Sequence, residues 1–469
     1  MPLMPVLLWT DALVFLLIAL GVVFGLHAAR HEHLRAPWRR VARSRIGAAT
    51  LVILSAYALV ALLDTVHFRL RLDQPAPGAQ FQYDPEVSSL LDLVLSPLRQ
   101  GQEKTYSAPF ATHLYVKESI EQADGSIVRD YPRLAHGGSH LSDPARQRGS
   151  DILTLSLIGL LEGLVVWGLV TTAILWRLAR RAGHTLAAAW SDVLAGKGGV
   201  PWLTILLTIG GLILLGCVTA ELAGRYHVLG TDKVGEDVLY QALKSVRTGL
   251  LIGTLTTLVM LPAAILLGIA AGYFRGWVDD LIQYLYTTLN SIPGVLLIAA
   301  AILVIQVYMA NHAEDFASLV QRADIRLLFL CLILGVTSWT GLCRLLRGES
   351  LKLREVDYVQ AATALGVGHF TIIARHILPN VMHIVLITLV LDFSGLVLAE
   401  AVLSYVNIGV DPTMNSWGNM INGARMELAR DPVVWWSLAA AFGFMFILVL
   451  SANLFADVVR DAFDPHLSH

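Results

Sequence analysis

Glu162 and Asp392 are the residues best placed to do chemistry, because each is an ionisable group set well inside a long apolar run. A carboxylate there marks either a proton relay or a pair with a hydroxyl, an amide or an Arg from a neighbouring helix or subunit. No second ionisable residue stands three or four positions from either, which favours pairing. Glu400 and Asp457 lie nearer the ends of apolar runs, within reach of an interface. Histidines gather twice. His27, His31 and His33 share an Arg-rich loop whose charge repels a metal ion. His136 and His140 are four apart, but the GGS between them argues for a turn. We expect no metal site at either place. AGKGGV at 195–200 lacks the spacing and the Ser/Thr of a phosphate loop, and neither HExxH nor GxSxG occurs. The chain is therefore expected to have no catalytic residues, and any nucleotide that drives it binds another chain.

The elements that position these residues must sit in lipid. Of 469 residues 55% are hydrophobic and 15% charged, against about 25% charged in soluble chains. The net charge of −2, with no long basic tract, gives no sign of a nucleic-acid partner. Cys217, Cys331 and Cys343 lie in or beside apolar runs and read as small buried hydrophobes.

A helix needs about 20 apolar residues to cross the hydrocarbon. Nine runs qualify: 6–28, 46–64, 152–175, 202–222, 248–271, 281–308, 326–345, 381–402 and 434–457. The first is not read as a signal peptide, because MPLMP has no positive charge and no small-residue cleavage site follows. Basic residues collect after runs one, three and seven, including Arg35, Arg39, Arg40, Arg180, Arg181, Arg347 and Arg354. That side is expected to be cytoplasmic, with the N-terminus outside and the C-terminus inside. Segment 65–151 is then the one sizeable external region. DGS between YVKESI and SIVRDY predicts a β-hairpin, and EVSSLLDLVLSPLR has the spacing of an amphipathic surface helix.

Gly249 and Gly253, and Gly268 and Gly272, stand four apart at the two ends of one run, a small-xxx-small face at each end. Between two later runs lies YVQAATALGVGHFTIIARHILPN, 358–380. Asp357 can cap a helix with Val359, Ala362, Leu365 and Phe370 on its apolar side, and Gly366 divides it into two short helices. Pro379 is expected to begin a new direction before the next run. A rigid, small-faced knob on the cytoplasmic side suits a membrane domain that sits in the cleft of a separate motor.

Here the residues carry a resemblance. Gln360-Ala361-Ala362, then Gly366, then Leu378-Pro379 resembles the EAA loop of ABC importer permeases, the element that docks on the ATPase. HVLGTDKVGEDVL, GYFRGWVDD, LNSIPGVLL, RHILPN, EAVLSYVNIGV, SWGNMI and RDAFDP follow in the order and spacing of the second permease subunit of dipeptide, oligopeptide and nickel importers, over roughly 225–466. Gln360 replaces the acidic residue that names the loop, and Glu236 stands where the family usually has Arg. The N-terminal half departs further. Either 46–64 or 202–222 serves as the family's first helix, and 66–225 reads as an insertion.

The resemblance implies an all-α polytopic membrane protein: an ABC permease-type bundle with about nine transmembrane helices and a small external α+β insertion. Its expected parts are N-terminal helices at 1–64, the external insertion at 65–151, a helical hairpin at 152–222 and a permease core at 223–469 with a coupling loop at 346–380. Expected partners are a second homologous permease, two ABC ATPases, an extracytoplasmic solute-binding protein and membrane lipid, in a bacterial inner membrane. ATP and Mg would bind the ATPases and no cofactor this chain. Coupling falls to Asp357, Tyr358, Gln360, Ala361, Ala362, Gly366, Leu378 and Pro379. Glu400, Ser404, Tyr405, Asn407, Trp417 and Asn419 are expected at the pathway or gate. The implied cargo is a di- or oligopeptide or a related small solute. The alternative is a self-contained secondary transporter or channel, which needs paired ionisable residues along a path or inverted repeats.

Overall fold

A computed structural model of the chain describes residues 3–30, 32–71, 83–121, 127–197, 199–312 and 318–463. The chain opens with β1 (Leu3–Val6), α1 (Trp9–Arg30), α2 (Glu32–Arg43) and α3 (Arg45–Thr65). A polar segment follows, with β2 (His67–Leu70), β3 (Ser88–Ser89), α4 (Leu90–Val94), α5 (Ser96–Gln100), β4 (Glu118–Glu121) and β5 (Ile127–Asp130). Next come α6 (Pro144–Ala182), α7 (Leu186–Leu194), α8 (Trp202–Ala223), α9 (Val238–Phe274), α10 (Gly276–Ser291) and α11 (Gly294–Asn311). The chain continues through α12 (Leu319–Ser338), α13 (Thr340–Arg354), α14 (Asp357–Ala364), α15 (His369–Ile372), a π-turn (Ile373–Ile377), α16 (Leu378–Tyr405), α17 (Trp417–Glu427) and α18 (Trp436–Phe463).

Among the described residues eight helices are long and apolar enough to cross a membrane, and a shorter apolar stretch covers Trp9–Val23. Val6, expected to begin the first span, belongs instead to the strand Leu3–Val6. The run 281–308 is not one span. The helix stops at Ser291, ahead of Pro293, and the crossing helix is Gly294–Asn311. The Arg-rich segment read as a loop is helical over Glu32–Arg43.

The chain divides into two compact units. The first comprises Met1–Val6, Arg40–Thr248 and Asn415–Ser451. In it β1, β2 and β3 form an antiparallel sheet, with Leu3 opposite Leu70 and His67 opposite Ser89. The expected hairpin forms, Glu118 opposite Asp130, while its DGS turn lies outside the described residues. The expected surface helix does not run through: Ser89 and Asp92 close a capping box on α4, and Pro97 restarts the chain as α5. α6 and α8 pair along a glycine seam. A Cβ on Gly159 would come within 2.7 Å of the Val218 Cα, and one on Gly163 within 3.1 Å of the Leu214 Cα.

The second unit comprises Leu7–Arg39, Gly249–Met414 and Ala452–His469. One cluster of its core runs from Met260 through Trp339, Leu342 and Leu346 to Val385. Another joins Leu251, Leu327, Leu334 and Val410, with Leu13 and Val14 of α1 packed on it. α1 is pinned at its start, where the backbone N–H and hydroxyl of Thr10 both donate to buried Asp324 of α12.

Candidate functional site

The segment 346–380 is built on the second unit's core. Val359 of α14 is fully buried, as are Ile372, Ile377 and Val381 after it. Asp357 does not cap α14. Val356 is the N-cap residue without a side-chain bond, so Asp357, one place on, sets its charge against the positive end of the helix dipole. The helix ends after Ala364. Gly366 takes φ +76, a left-handed conformation costly to residues with a Cβ, and the Val367 N–H donates to the Ala362 carbonyl at 3.1 Å. Two short helices thus meet at a turn. Leu365 and Phe370, expected on the buried side, are each 83% exposed. The chain has left the helix by Leu365, so the 3.6-residue period no longer fixes which way those side chains face.

Polar contacts tie this knob to the end of α9. Gln360 Nε2 donates to the Glu355 carbonyl at 3.2 Å, and Arg275 Nη2 donates to Glu355 Oε1 at 2.5 Å. Arg354 Nη1 donates to the Tyr273 carbonyl at 2.8 Å, and the Tyr273 hydroxyl lies 2.8 Å from His369 Nδ1. An open cleft of about 610 Å3 lies among Tyr273, Phe274, Arg354, Gln360, Thr363 and His369. Asn380 Nδ2 donates to the Tyr358 hydroxyl at 3.1 Å. Ala361 is exposed, and Ala362 and Leu378 are half-buried. Pro379 sits in the first turn of α16. His369–Tyr405 runs on as one helical stretch, and the Leu378 N–H reaches back to the Ile373 carbonyl through the π-turn just ahead of the proline.

Three of the four glycines pack closely against other elements. Gly249 is buried. A Cβ on Gly253 would strike the Phe393 ring. On Gly268 it would meet the Cys343 carbonyl at 2.8 Å, and on Gly272 the Arg347 carbonyl at 2.6 Å, so α9 and α13 touch backbone to backbone.

Of the expected pathway residues, Glu400, Ser404, Tyr405 and Asn407 belong to the second unit and Trp417 and Asn419 to the first. Glu400 is buried and accepts from the Ser404 hydroxyl at 2.7 Å. Tyr405 is exposed, and Asn407 holds φ +63 in the turn that ends α16. Trp417 is buried, its indole N–H donating to the Ala242 carbonyl at 3.1 Å. Asn419 is half-buried, and its backbone N–H donates to the Ser416 cap. Asp392 is half-buried and Glu162 exposed, and neither has a partner among the described residues.

Sequence reasoning missed a charged cluster in the first unit. Glu103 Oε1 accepts from the His136 and Gly137 N–H groups at 2.8 and 3.0 Å. It lies 3.5 Å from His227 Nε2, while His227 Nδ1 is 2.7 Å from Asp237. Burial would raise the Glu103 carboxyl, but His227 and three backbone N–H groups overcome it and hold it at about 2. Burial would lower His227, yet Asp237 and Glu103 lift it to about 9. His227 opens and Asp237 nearly closes the HVLGTDKVGEDVL motif, which was the available signal. Of the two histidines flanking the GGS turn, His140 pairs with Asp151 at 2.8 Å and His136 lies 3.9 Å from Glu103. No group of metal-ligating side chains occurs among the described residues.

Residues 264–469 match the family described as the binding-protein-dependent transport system inner membrane component. The chain is 31% identical over 243 residues to the glutathione transport system permease protein GsiD of Pectobacterium atrosepticum, covering 51% of this chain and 73% of that protein. It is 30% identical over 242 residues to the oligopeptide transport system permease protein OppC of Mycobacterium tuberculosis, 52% and 77% of the two chains. To OppC of Bacillus subtilis it is 25% identical over 307 residues, 62% and 93%. The chain belongs to this family of ABC importer permeases: it is a multi-pass transport subunit of the peptide-transport group and not an enzyme.

Proposed function

We propose that this permease moves di- or oligopeptides, or related small solutes, across a bacterial inner membrane, with its N-terminus outside and its C-terminus in the cytoplasm. The names of its relatives, transporters of glutathione, oligopeptides and dipeptides, support that cargo. The chain works beside a second homologous permease. Two ATPases bind ATP and Mg, and an extracytoplasmic binding protein delivers the solute. The parts are those the sequence suggests: helices at 1–64, an external insertion at 65–151, a hairpin at 152–222 and the core at 223–469.

The observation that carries the mechanism is the knob: two short helices on a fully buried footing of Val359, Ile372 and Ile377 that present Leu365 and Phe370 outward. A surface so firmly seated and so apolar at its tip transmits force from a partner. ATP closes the ATPase pair, the knob at 357–380 follows, and the bundle passes between outward-open and inward-open states whose balance the ATPases bias. The test is uptake of labelled peptide by cells carrying Gly366→Asp. Uptake should be abolished while the chain stays at its normal level in the membrane; unchanged uptake would sink the docking role.

A further inference from the structure

Between Asp151 and Arg177 the only ionisable residue of α6 is Glu162. At 1.5 Å per residue it stands about 16 Å from the one and about 22 Å from the other along the axis. That is near the middle of a hydrocarbon layer about 30 Å thick, too deep for its short side chain to snorkel to either surface. Glu162 is exposed, and its neighbours Leu161, Val165 and Leu169 are exposed by 64%, 63% and 67%. The flank of α6 beside Glu162 is closed, because Gly159 and Gly163 press on the backbone of α8. Carboxylates inside membranes face a bundle interior, a water-filled cavity or a partner charge. Within its own chain Glu162 has no partner among the described residues.

We propose that this face of α6 docks a membrane-spanning helix of a partner chain, one that offers Glu162 a cation or a hydrogen-bond donor at mid-membrane depth. Charge complementarity selects this occupant. Lipid tails have no donor, and a second copy of this chain would bring another carboxylate to the same depth. The apolar residues around Glu162 supply the packing surface, and the carboxylate fixes depth and identity. α6 precedes residues 264–469, which match the family model.

The test places the photo-reactive residue p-benzoylphenylalanine at Val165 of the full-length chain in native membranes and maps the adduct by mass spectrometry. The expected product joins α6 to a transmembrane segment of a different polypeptide with Lys, Arg, His, Asn or Gln at the contact depth. Its yield should fall about three- to tenfold in Glu162→Leu, the scale of one hydrogen bond between helices in lipid. Changing the partner's polar residue to Leu should lower it by the same factor. Glu162→Leu leaves the glycine seam intact and makes the span more apolar, so the level of chain in the membrane is unaffected. Adducts to lipid alone, to a second copy of this chain, or to a helix whose yield ignores Glu162→Leu would each overturn the proposal. None of these outcomes bears on the coupling knob.

Discussion

The guanidinium of Arg347 grips the carboxylate of Asp279 at both ends, Nε 2.6 Å from Oδ1 and Nη2 2.7 Å from Oδ2. The pair joins α10 to α13, the helix that leads into the knob, so a displacement of the knob is felt by both. Removing one partner strands the other in largely apolar surroundings. With the two side chains 26% and 12% exposed, we expect Asp279→Ala to cost about 2 kcal/mol, less than for a fully buried pair. The unfolding temperature of the detergent-solubilised protein should drop accordingly, and replacing both residues with Leu should recover most of the loss. No recovery in the double variant would mean that the pair is not the tie.

The seam between α9 and α13 predicts a contrast among glycines. Gly272→Ala drives a Cβ into the Arg347 carbonyl and the Ser350 Cβ, both at 2.6 Å, and should destabilise by about 1–3 kcal/mol. Gly341→Ala, in α13 with nothing within 4 Å of its Cβ, should be neutral or stabilising by up to about 1 kcal/mol. Thermal unfolding of the two variants side by side reads the difference. Equal losses would refute the close approach.

The Glu103–His227–Asp237 cluster gives the first unit a pH window. Glu103 is held at about 2, below its usual 4.5, so its contribution is complete above 4.5 and disappears as the pH falls through 2. His227 is lifted to about 9 from 6.5, so its contribution is complete below 6.5 and disappears as the pH rises through 9. Wild type should therefore unfold a few degrees above His227→Gln at about pH 6, and the gap should close above about pH 9. A gap that stays constant with pH would assign His227 a packing role only.

Phe370 stands at the outward tip of the knob. Because it is 83% exposed, Phe370→Ser should leave the fold within about 0.5 kcal/mol of wild type. Peptide uptake should nevertheless fall several-fold, since exposed aromatic residues of this kind anchor interfaces. Full uptake at normal protein levels would remove Phe370 from the docking surface.

Local signals carried most of what could be read from the sequence. Apolar runs gave the spans, DGS gave the β4–β5 hairpin, and Gly366 gave the break in the knob. Each depends on a few neighbouring residues. The misreadings arose where a local rule met a distant partner or a break inside an apolar run. Pro293 splits 281–308 although hydropathy continues across it. Leu365 and Phe370 obey the helical period in the sequence, but the chain between them is not helical. Glu103 is far from His227 in the chain, and no spacing rule joins them. The departures from the family, Gln360 and Glu236, were visible at once. Their partners, the Glu355 carbonyl for Gln360 and the Gln241 side chain for Glu236, needed coordinates.

The coupling role of 357–380 depends on whether the knob holds an ATPase. The direct measurement is a pull-down of the tagged chain from native membranes in gentle detergent, with its companions identified by mass spectrometry, for wild type and Gly366→Asp. The left-handed φ of +76 at Gly366 makes the variant a lesion of the turn, and the open space around that Cβ leaves the core beneath intact. Wild type should bring down a second permease and an ATPase with a phosphate loop, and Gly366→Asp should keep the permease and lose the ATPase. Recovery of the ATPase in equal amount by both chains would contradict the coupling role of 357–380.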